Sequence, residues 1–201
     1  MKFYRPSFLL ALIPLAFTGC QIVPEASPDP TRFFVLEDPA AVTASPGAST
    51  GSTIGMHEIR LPAYLADSRA IAVTSANNRV AFRDFERWAE PLDEGIERIL
   101  QSALARAPGI SRVLTLPFPV GVKRDYDVQI SVIKCEGFQG ADQNQVRFAL
   151  NYSVLDPNEE LIMHGVYDAP PRPWNGQSGD LARLLSTAIV EAADSIAEAI
   201  P

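Results

Sequence analysis

Cysteine and histidine are scarce in this chain of 201 residues, which holds two of each. The cysteines are Cys20 and Cys135, and the histidines are His57 and His164. Structural zinc sites need several cysteines or histidines at short fixed spacings such as CxxC, and no such cluster occurs. The sequence therefore predicts no metal site, and metal or triad chemistry would require the two distant histidines to converge.

Basic residues are outnumbered, with 17 Lys and Arg against 24 Asp and Glu and a formal net charge of −7. Nucleic-acid binding depends on Lys and Arg side chains that neutralise phosphates. The same side chains form the polybasic patches that attract proteins to anionic membranes. We therefore expect no nucleic-acid partner, and any attachment to a membrane must come from another feature.

Two motifs of common catalytic sites are also incomplete. His57-Glu58 begins like the HExxH helix of metalloproteases, but the second histidine would stand at position 61, which is Leu61. The stretch GASTGST at 47–53 lacks the lysine of a phosphate-binding loop and is expected to be a linker. The sequence therefore predicts no catalytic residue and no cofactor, and each histidine is expected to be exposed or satisfied in the core.

The N-terminus has the three parts of a secretory signal peptide. Lys2 and Arg5 give the positive charge, residues 8–17 form the apolar segment, and small residues precede a cleavage site after Gly19. The apolar segment is shorter than the ~20 residues that span a bilayer. We therefore predict a signal peptide over residues 1–19.

The residues Phe17-Thr18-Gly19-Cys20 resemble the lipobox of bacterial lipoproteins. The resemblance implies that the Cys20 thiol receives a diacylglyceryl group, that the signal is removed and that the new amino group is acylated. The alternative is an ordinary secretory signal with an incidental cysteine. Lipidation of Cys20 would leave Cys135 without a disulfide partner, as a lone thiol that packs like a small apolar side chain.

The acyl chains would hold the protein on a membrane, because each buried CH₂ contributes roughly 0.8 kcal/mol and two chains already anchor stably. Gln21 after the cysteine resembles the pattern of lipoproteins sent to the outer membrane, so we expect the protein on its periplasmic face. Residues 20–31 are proline-rich and predict an extended tether of roughly 30 Å. Removal of residues 1–19 leaves 15 of the 17 basic residues against 24 acids, a net charge near −9.

Short runs of aromatic, β-branched and alternating residues predict seven strands in the rest of the chain. Asn77-Asn78 suits a tight hairpin turn between the third and the fourth strand, and a flexible loop is expected over 38–53. The last three strands follow one another closely and predict an antiparallel meander. The seven strands are expected at 32–36, 54–61, 70–74, 79–83, 125–133, 145–155 and 161–167.

Two amphipathic helices are predicted, over residues 91–107 and 180–200. Pro91 suits the first turn of the first helix, Glu94 and Arg98 form an outer pair, and Ser178 is expected to cap the second helix. The apolar stripes are Leu92, Ile96, Ile99, Leu100, Ala103 and Leu104, then Leu181, Leu184, Leu185, Ala188, Ala192, Ile196 and Ala199. The pattern predicts one α+β domain over 32–201, an antiparallel or mixed sheet with both helices packed on one face.

Four stretches resemble the family of ABC-type transport auxiliary lipoproteins typified by PqiC, also called YmbA. They are FFVL at 33–36, RLPAYL at 60–65, RDFERWAEPLDEGIERIL at 83–100 and DYDVQISVIKCEGF at 125–138. The motif WAEPLDEGI at 88–96 is the most specific part of the resemblance. The resemblance runs from about Phe33 to the final helix. It implies a non-enzymatic subunit that partners MCE-type proteins, which form lipid-conducting assemblies across the periplasm.

Four residues are candidates for contact with such a partner: Tyr64, Leu65, Trp88 and Trp174. Trp88 either covers the core where the strand and the helix meet or faces a partner. Tyr64 and Leu65 either cover the sheet edge or form a contact patch. Trp174 lies in the loop APPRPWNGQ, and it is either exposed, because the loop offers little regular structure to bury it, or buried in the core.

Two functions remain open from the residues and the resemblance. The chain is expected to dock the tunnel protein at the outer membrane; alternatively, it carries a lipid in an apolar pocket between sheet and helices. A periplasmic hydrolase is disfavoured by the missing nucleophile and metal sets. Assembly of several copies would suit a docking collar, although nothing in the spacing demands it.

Overall fold

The computed structural model describes residues 28–40 and 50–201. The predicted signal peptide, Cys20, most of the tether and residues 41–49 of the predicted loop lie outside these ranges. The strands in the described part are β1 (Arg32–Phe34), β2 (Ser52–Met56), β3 (Ala70–Ser75), β4 (Val80–Trp88), β5 (Ile110–Thr115), β6 (Tyr126–Gln139), β7 (Asn144–Leu155), β8 (Leu161–Asp168) and β9 (Arg172–Pro173). The helices are α1 (Ala63–Ala66), α2 (Leu92–Leu104) and α3 (Ser178–Glu198).

Strand β6 organises the sheet, because it is 14 residues long and has partners on both edges. One edge pairs antiparallel with β7 along almost its whole length. The other edge is shared by two shorter parallel strands, β2 beside the start of β6 and β3 beside its end. Further out, β5 follows β2, β4 and β1 follow β3, and β8 and β9 pair with β7. The result is one mixed, nine-stranded sheet.

The two long strands each have a buried face and a polar face, as their alternation predicts. On β7 the alternating buried residues are Val146, Phe148, Leu150, Tyr152 and Val154, with Ala149 buried between two of them, and on β6 the buried residues include Val128, Ile130 and Val132. Helix α3 packs on both strands, and α2 packs against α3. The domain is therefore α+β, with the helices on one face of the sheet, as predicted.

The predicted apolar stripe of α2 is confirmed, since all six of its residues are buried. Helix α3 begins earlier than predicted, and Ser178 is its first residue rather than its cap, with its hydroxyl donating to Glu86 Oε2 at 2.5 Å. Arg98 pairs with Glu90 rather than with Glu94, because its guanidinium also donates to the Leu36 carbonyl. No helix in the described ranges is long and apolar enough to cross a bilayer.

The hairpin of β3 and β4 and the meander of β6, β7 and β8 are confirmed. Asn78 at the hairpin turn has φ 59°, the left-handed conformation that asparagine tolerates. The predicted strand at 54–61 ends at Met56, although the His57 and Arg60 amides still donate to Val128 and Ile130 carbonyls of β6. Strands β5 and β9 were not predicted.

The segment that follows the tether is fastened to both helices. Asp38 forms an ion pair with Arg106, just after α2, with 2.6 Å between Oδ2 and Nη1. The Glu37 amide donates to the Ser186 hydroxyl of α3 at 3.0 Å. The residues just after β1 therefore attach the N-terminal segment to the helical layer.

Candidate functional site

Trp88 lies in the core, at the junction of β4 and α2, with 3% of its surface exposed. Its amide donates to the Arg69 carbonyl at 2.7 Å, and the chain turns into α2 through Pro91. Of the two roles that the sequence left open, the structure shows a side chain that closes the core. A partner could reach it only by displacing residues that already cover it.

Trp174 is also buried, at 4% exposure, so of the two placements that its loop left open the structure shows the buried one. Strand β9 pairs with β7 and brings the indole over β6, where Gly137 has no side chain to obstruct it. The indole N–H donates to the Gln177 carbonyl at 2.7 Å. The proline-rich loop is therefore held to the sheet by the pairing of β9 with β7 and by packing of the indole on β6, neither of which its sequence reveals.

Helix α1 places Tyr64 and Leu65 differently. Leu65 is buried at 4% exposure, whereas Tyr64 is half-buried and its hydroxyl donates to Glu136 Oε2 at 2.7 Å. The Thr74 hydroxyl donates to Oε1 of the same carboxylate at 2.7 Å. Burial, and then the hydrogen bond with Glu136, raise the pKa of the Tyr64 phenol. Tyr64 is thus the one of the four candidate residues that keeps a substantial exposed surface.

A polar cleft of about 370 Å³ opens on the polar face of β6, β7 and β8. The pairing register sets Gln129, Ser153 and His164 side by side across the three strands. Ser131 and Asn151 form the neighbouring row, and Arg60 bridges to Ser131 from the irregular segment after β2. That segment also carries His57, so both histidines of the chain line the same cleft. The sequence alone did not predict this convergence.

One rim of the cleft contains a charged and aromatic cluster. Arg124 holds Asp127 through two contacts, Nε to Oδ1 at 2.7 Å and Nη2 to Oδ2 at 3.1 Å. His57 Nε2 lies 3.8 Å from Asp127 Oδ1. The Phe118 ring lies 5.4 Å from the His57 ring, edge to face, and 4.1 Å from the Arg124 guanidinium. These contacts position the imidazole of His57 at the cleft.

The cleft contains a serine and a histidine in contact, with 3.2 Å between Ser153 Oγ and His164 Nδ1. A hydrolytic triad needs a third group that orients the histidine and donors for an oxyanion. The described residues provide no carboxylate bonded to His164 and no cluster of three potential metal ligands. The GxSxG spacing does occur at 47–51, but strand β2 follows it, not the helix of a nucleophile elbow. The arrangement is suited to binding a polar group.

Two surfaces expose apolar side chains. The outer edge of β8 has no strand partner within 28–40 and 50–201, and four apolar side chains are exposed along it: Leu161, Ile162, Met163 and Val166. On the neighbouring strands β1 and β4, the aromatic rings of Phe33, Phe82 and Phe85 are exposed. An apolar groove of about 590 Å³ lies beside this second surface, between the segment after β1 and α3.

Fold and surface together define a single α+β domain with one helical face and one polar face. The family model of the ABC-type transport auxiliary lipoprotein component matches residues 34–197. The chain therefore belongs to this family, and the resemblance inferred from its sequence is confirmed. No curated protein matches the chain significantly.

Solved structures of similar fold come from several bacteria. Protein XCC0632 from Xanthomonas campestris superposes with a TM-score of 0.64 and 15% identity, over 83% of this chain and 90% of that one. An uncharacterized protein gives a TM-score of 0.63 and 14% identity, over 84% and 97% of the two chains. PelC from Paraburkholderia phytofirmans, solved as a dodecamer, gives a TM-score of 0.47 and 13% identity, over 78% and 94%. The first two likenesses show the same fold.

Proposed function

We propose that this protein is a non-enzymatic lipoprotein, anchored to the outer membrane through Cys20, that docks an MCE-type periplasmic tunnel protein and helps lipid to pass. The observation that carries the proposal is the family match over residues 34–197, nearly all of the folded domain. A tether of about a dozen residues keeps the domain close to the membrane and raises its effective concentration there. Even a weak docking surface would then suffice.

The edge of β8 is the docking surface that we propose. An edge strand offers unpaired N–H and C=O groups that can pair with a strand of another chain. The edge also exposes apolar side chains, and burying them against a partner would be favourable. Val166 and Leu161 are exposed by 61% and 62%. Tyr64 remains a second predicted contact, and contacts through Leu65, Trp88 and Trp174 would require rearrangement of the domain.

A pull-down of the full, lipidated chain with an MCE-type protein tests the docking. We expect Leu161→Lys and Val166→Lys each to reduce recovery of the partner, because a charge replaces apolar contact. Val120→Lys is the matched control, since Val120 is fully exposed outside the strands. Recovery that is absent for the native chain, or unchanged in both β8 variants, contradicts the proposal.

The anchor is tested separately by labelling cells with a palmitate analogue. The native chain should incorporate the label and fractionate with outer membranes, whereas Cys20→Ala should do neither. Incorporation that persists in the variant rules out Cys20 as the lipidated residue. Assembly of several copies remains a prediction, to be checked by the mass of the detergent-solubilised protein.

A lipid carrier is the second candidate function, and the apolar groove beside α3 favours it. Phe34 and Ala182 contribute to its walls, so an acyl chain would find apolar contacts there. This groove lies beside the N-terminal segment, not between the sheet and the helices, where a pocket was predicted from the sequence. Native mass spectrometry of the purified chain distinguishes the two functions: a stoichiometric lipid without any partner supports the carrier.

A further inference from the structure

The two histidines of the chain come from segments that are far apart in sequence, yet both line one cleft. His57 follows β2 and His164 lies within β8, on opposite sides of β6 and β7 in the sheet. Hydroxyl and amide side chains fill the rows between them, with Ser131 and Ser153 at the centre. The cleft therefore presents donors of several kinds over a volume that a small polar group would fill.

One basic side chain of the cleft is not neutralised by any described residue. Arg60 is exposed, and its guanidinium has no hydrogen bond or ion pair within the described residues. The nearby carboxylate of Asp127 is already held by Arg124, so it does not compete for Arg60. Glu58 also lines the cleft. Its negative charge is one cause of the raised pKa of Glu97 on α2, a smaller cause than the burial of Glu97 and the charge of Asp93. An unpaired guanidinium and two imidazoles therefore line the same cleft.

We infer that this cleft binds a phosphate ester, with the Arg60 guanidinium on the phosphate oxygens and the imidazole, hydroxyl and amide side chains of the flanking rows on the rest of the phosphate and on the attached polar group. Arginine recognises phosphate through its fixed fork of N–H donors, and histidine adds a positive charge when it is protonated. Serine hydroxyls and the amides of Gln129 and Asn151 both donate and accept, which suits the hydroxyl or ester oxygens of such a group. The site does not depend on the proposed tunnel partner.

Histidine-selective NMR tests the inference directly, because both signals of the labelled chain arise from this cleft. The full chain in detergent, with ¹⁵N-labelled histidine, is titrated with glycerol 3-phosphate, inorganic phosphate or a short-chain phosphatidylethanolamine. We expect saturable shifts of both imidazoles. Saturation by the two esters but not by inorganic phosphate identifies a headgroup site, and saturation by all three identifies a site for the phosphate itself.

Two variants separate binding from nonspecific attraction. Arg60→Gln should weaken the affinity for the bound probe by about tenfold or more, as expected for the loss of a charge-assisted hydrogen bond. Arg79→Gln is the matched control, since Arg79 is exposed on the hairpin between β3 and β4. Shifts that do not saturate with any probe, or equal affinities of the two variants, overturn the inference. Unchanged circular dichroism of Arg60→Gln excludes misfolding as the cause of its weaker binding.

Discussion

The contact between Trp174 and Gly137 predicts that Gly137→Ala destabilises the domain. An added Cβ would lie 2.6 Å from Cζ3 and 2.8 Å from Cη2 of the indole. Ordinary contact begins near 3.4 Å, so the ring or the strand must move by roughly 0.8 Å. The ring is buried and its N–H is bonded to Gln177, so this movement disturbs packing or the hydrogen bond. Overpacking of this kind costs about 1–3 kcal/mol.

A double-mutant cycle followed by equilibrium urea unfolding measures the contact. Trp174→Ala alone should reduce the free energy of unfolding by about 3–5 kcal/mol, because it leaves a cavity in the core. In that background Gly137→Ala finds empty space, and its cost should fall to near zero. The coupling energy between the two positions should therefore be about 1–3 kcal/mol.

Gly179→Ala is the matched control for this experiment. Gly179 lies in α3, where the nearest heavy atom to an added Cβ is Phe34 Cε1 at 3.8 Å. Alanine is favoured over glycine in a helix by about 1 kcal/mol, so this variant should be neutral or more stable. Additive costs in the cycle, or equal effects of Gly137→Ala and Gly179→Ala, would refute the reasoning.

Two further predictions concern buried carboxylates. Burial of Asp38 disfavours its charged form, but the ion pair with Arg106 and the nearby hydrogen-bond donors outweigh burial and lower the pKa of the carboxyl. The charged carboxylate therefore stabilises the fold above about pH 4, and this stabilisation is lost as the pH falls further. Urea unfolding between pH 7 and 3 should therefore show a smaller stability loss below pH 4 for Asp38→Asn than for the native chain; equal losses contradict this. Tyr64→Phe leaves Glu136 with the Thr74 hydroxyl alone and should cost about 1–3 kcal/mol in the same assay, whereas an unchanged midpoint would show that water replaces the phenol.

Local periodicity predicts most of the secondary structure. The stripe of Ile96, Ile99 and Leu100 repeats every three or four residues, which predicts α2 and its buried face without knowledge of what covers it. The alternation in β6 and β7 likewise predicts their buried residues, because neighbouring side chains in a strand point to opposite faces. The family, too, follows from short ordered stretches of sequence, and the family model confirms it.

Other features depend on which strands become neighbours. Strand β5 is short and adjoins β2, and the irregular pairing after Met56 places Arg60 beside Ser131. Trp174 is buried because β9 pairs with β7 and brings it over Gly137, a contact between positions distant in sequence. Neither event leaves a local signature, since a residue's own neighbours do not encode its partner across the sheet.

The sequence by itself determined the signal-like N-terminus, the two helices, the alternating strands and the family. Tertiary structure alone decided that His57 and His164 line one cleft, that the outer edge of β8 has no strand partner in the described part of the chain and that three of the four predicted contact residues are buried. The physical reason is that hydrophobic periodicity is local and acts within one helix or strand. The register between strands is instead set by the long strand β6, whose two edges hold partners from separate parts of the chain.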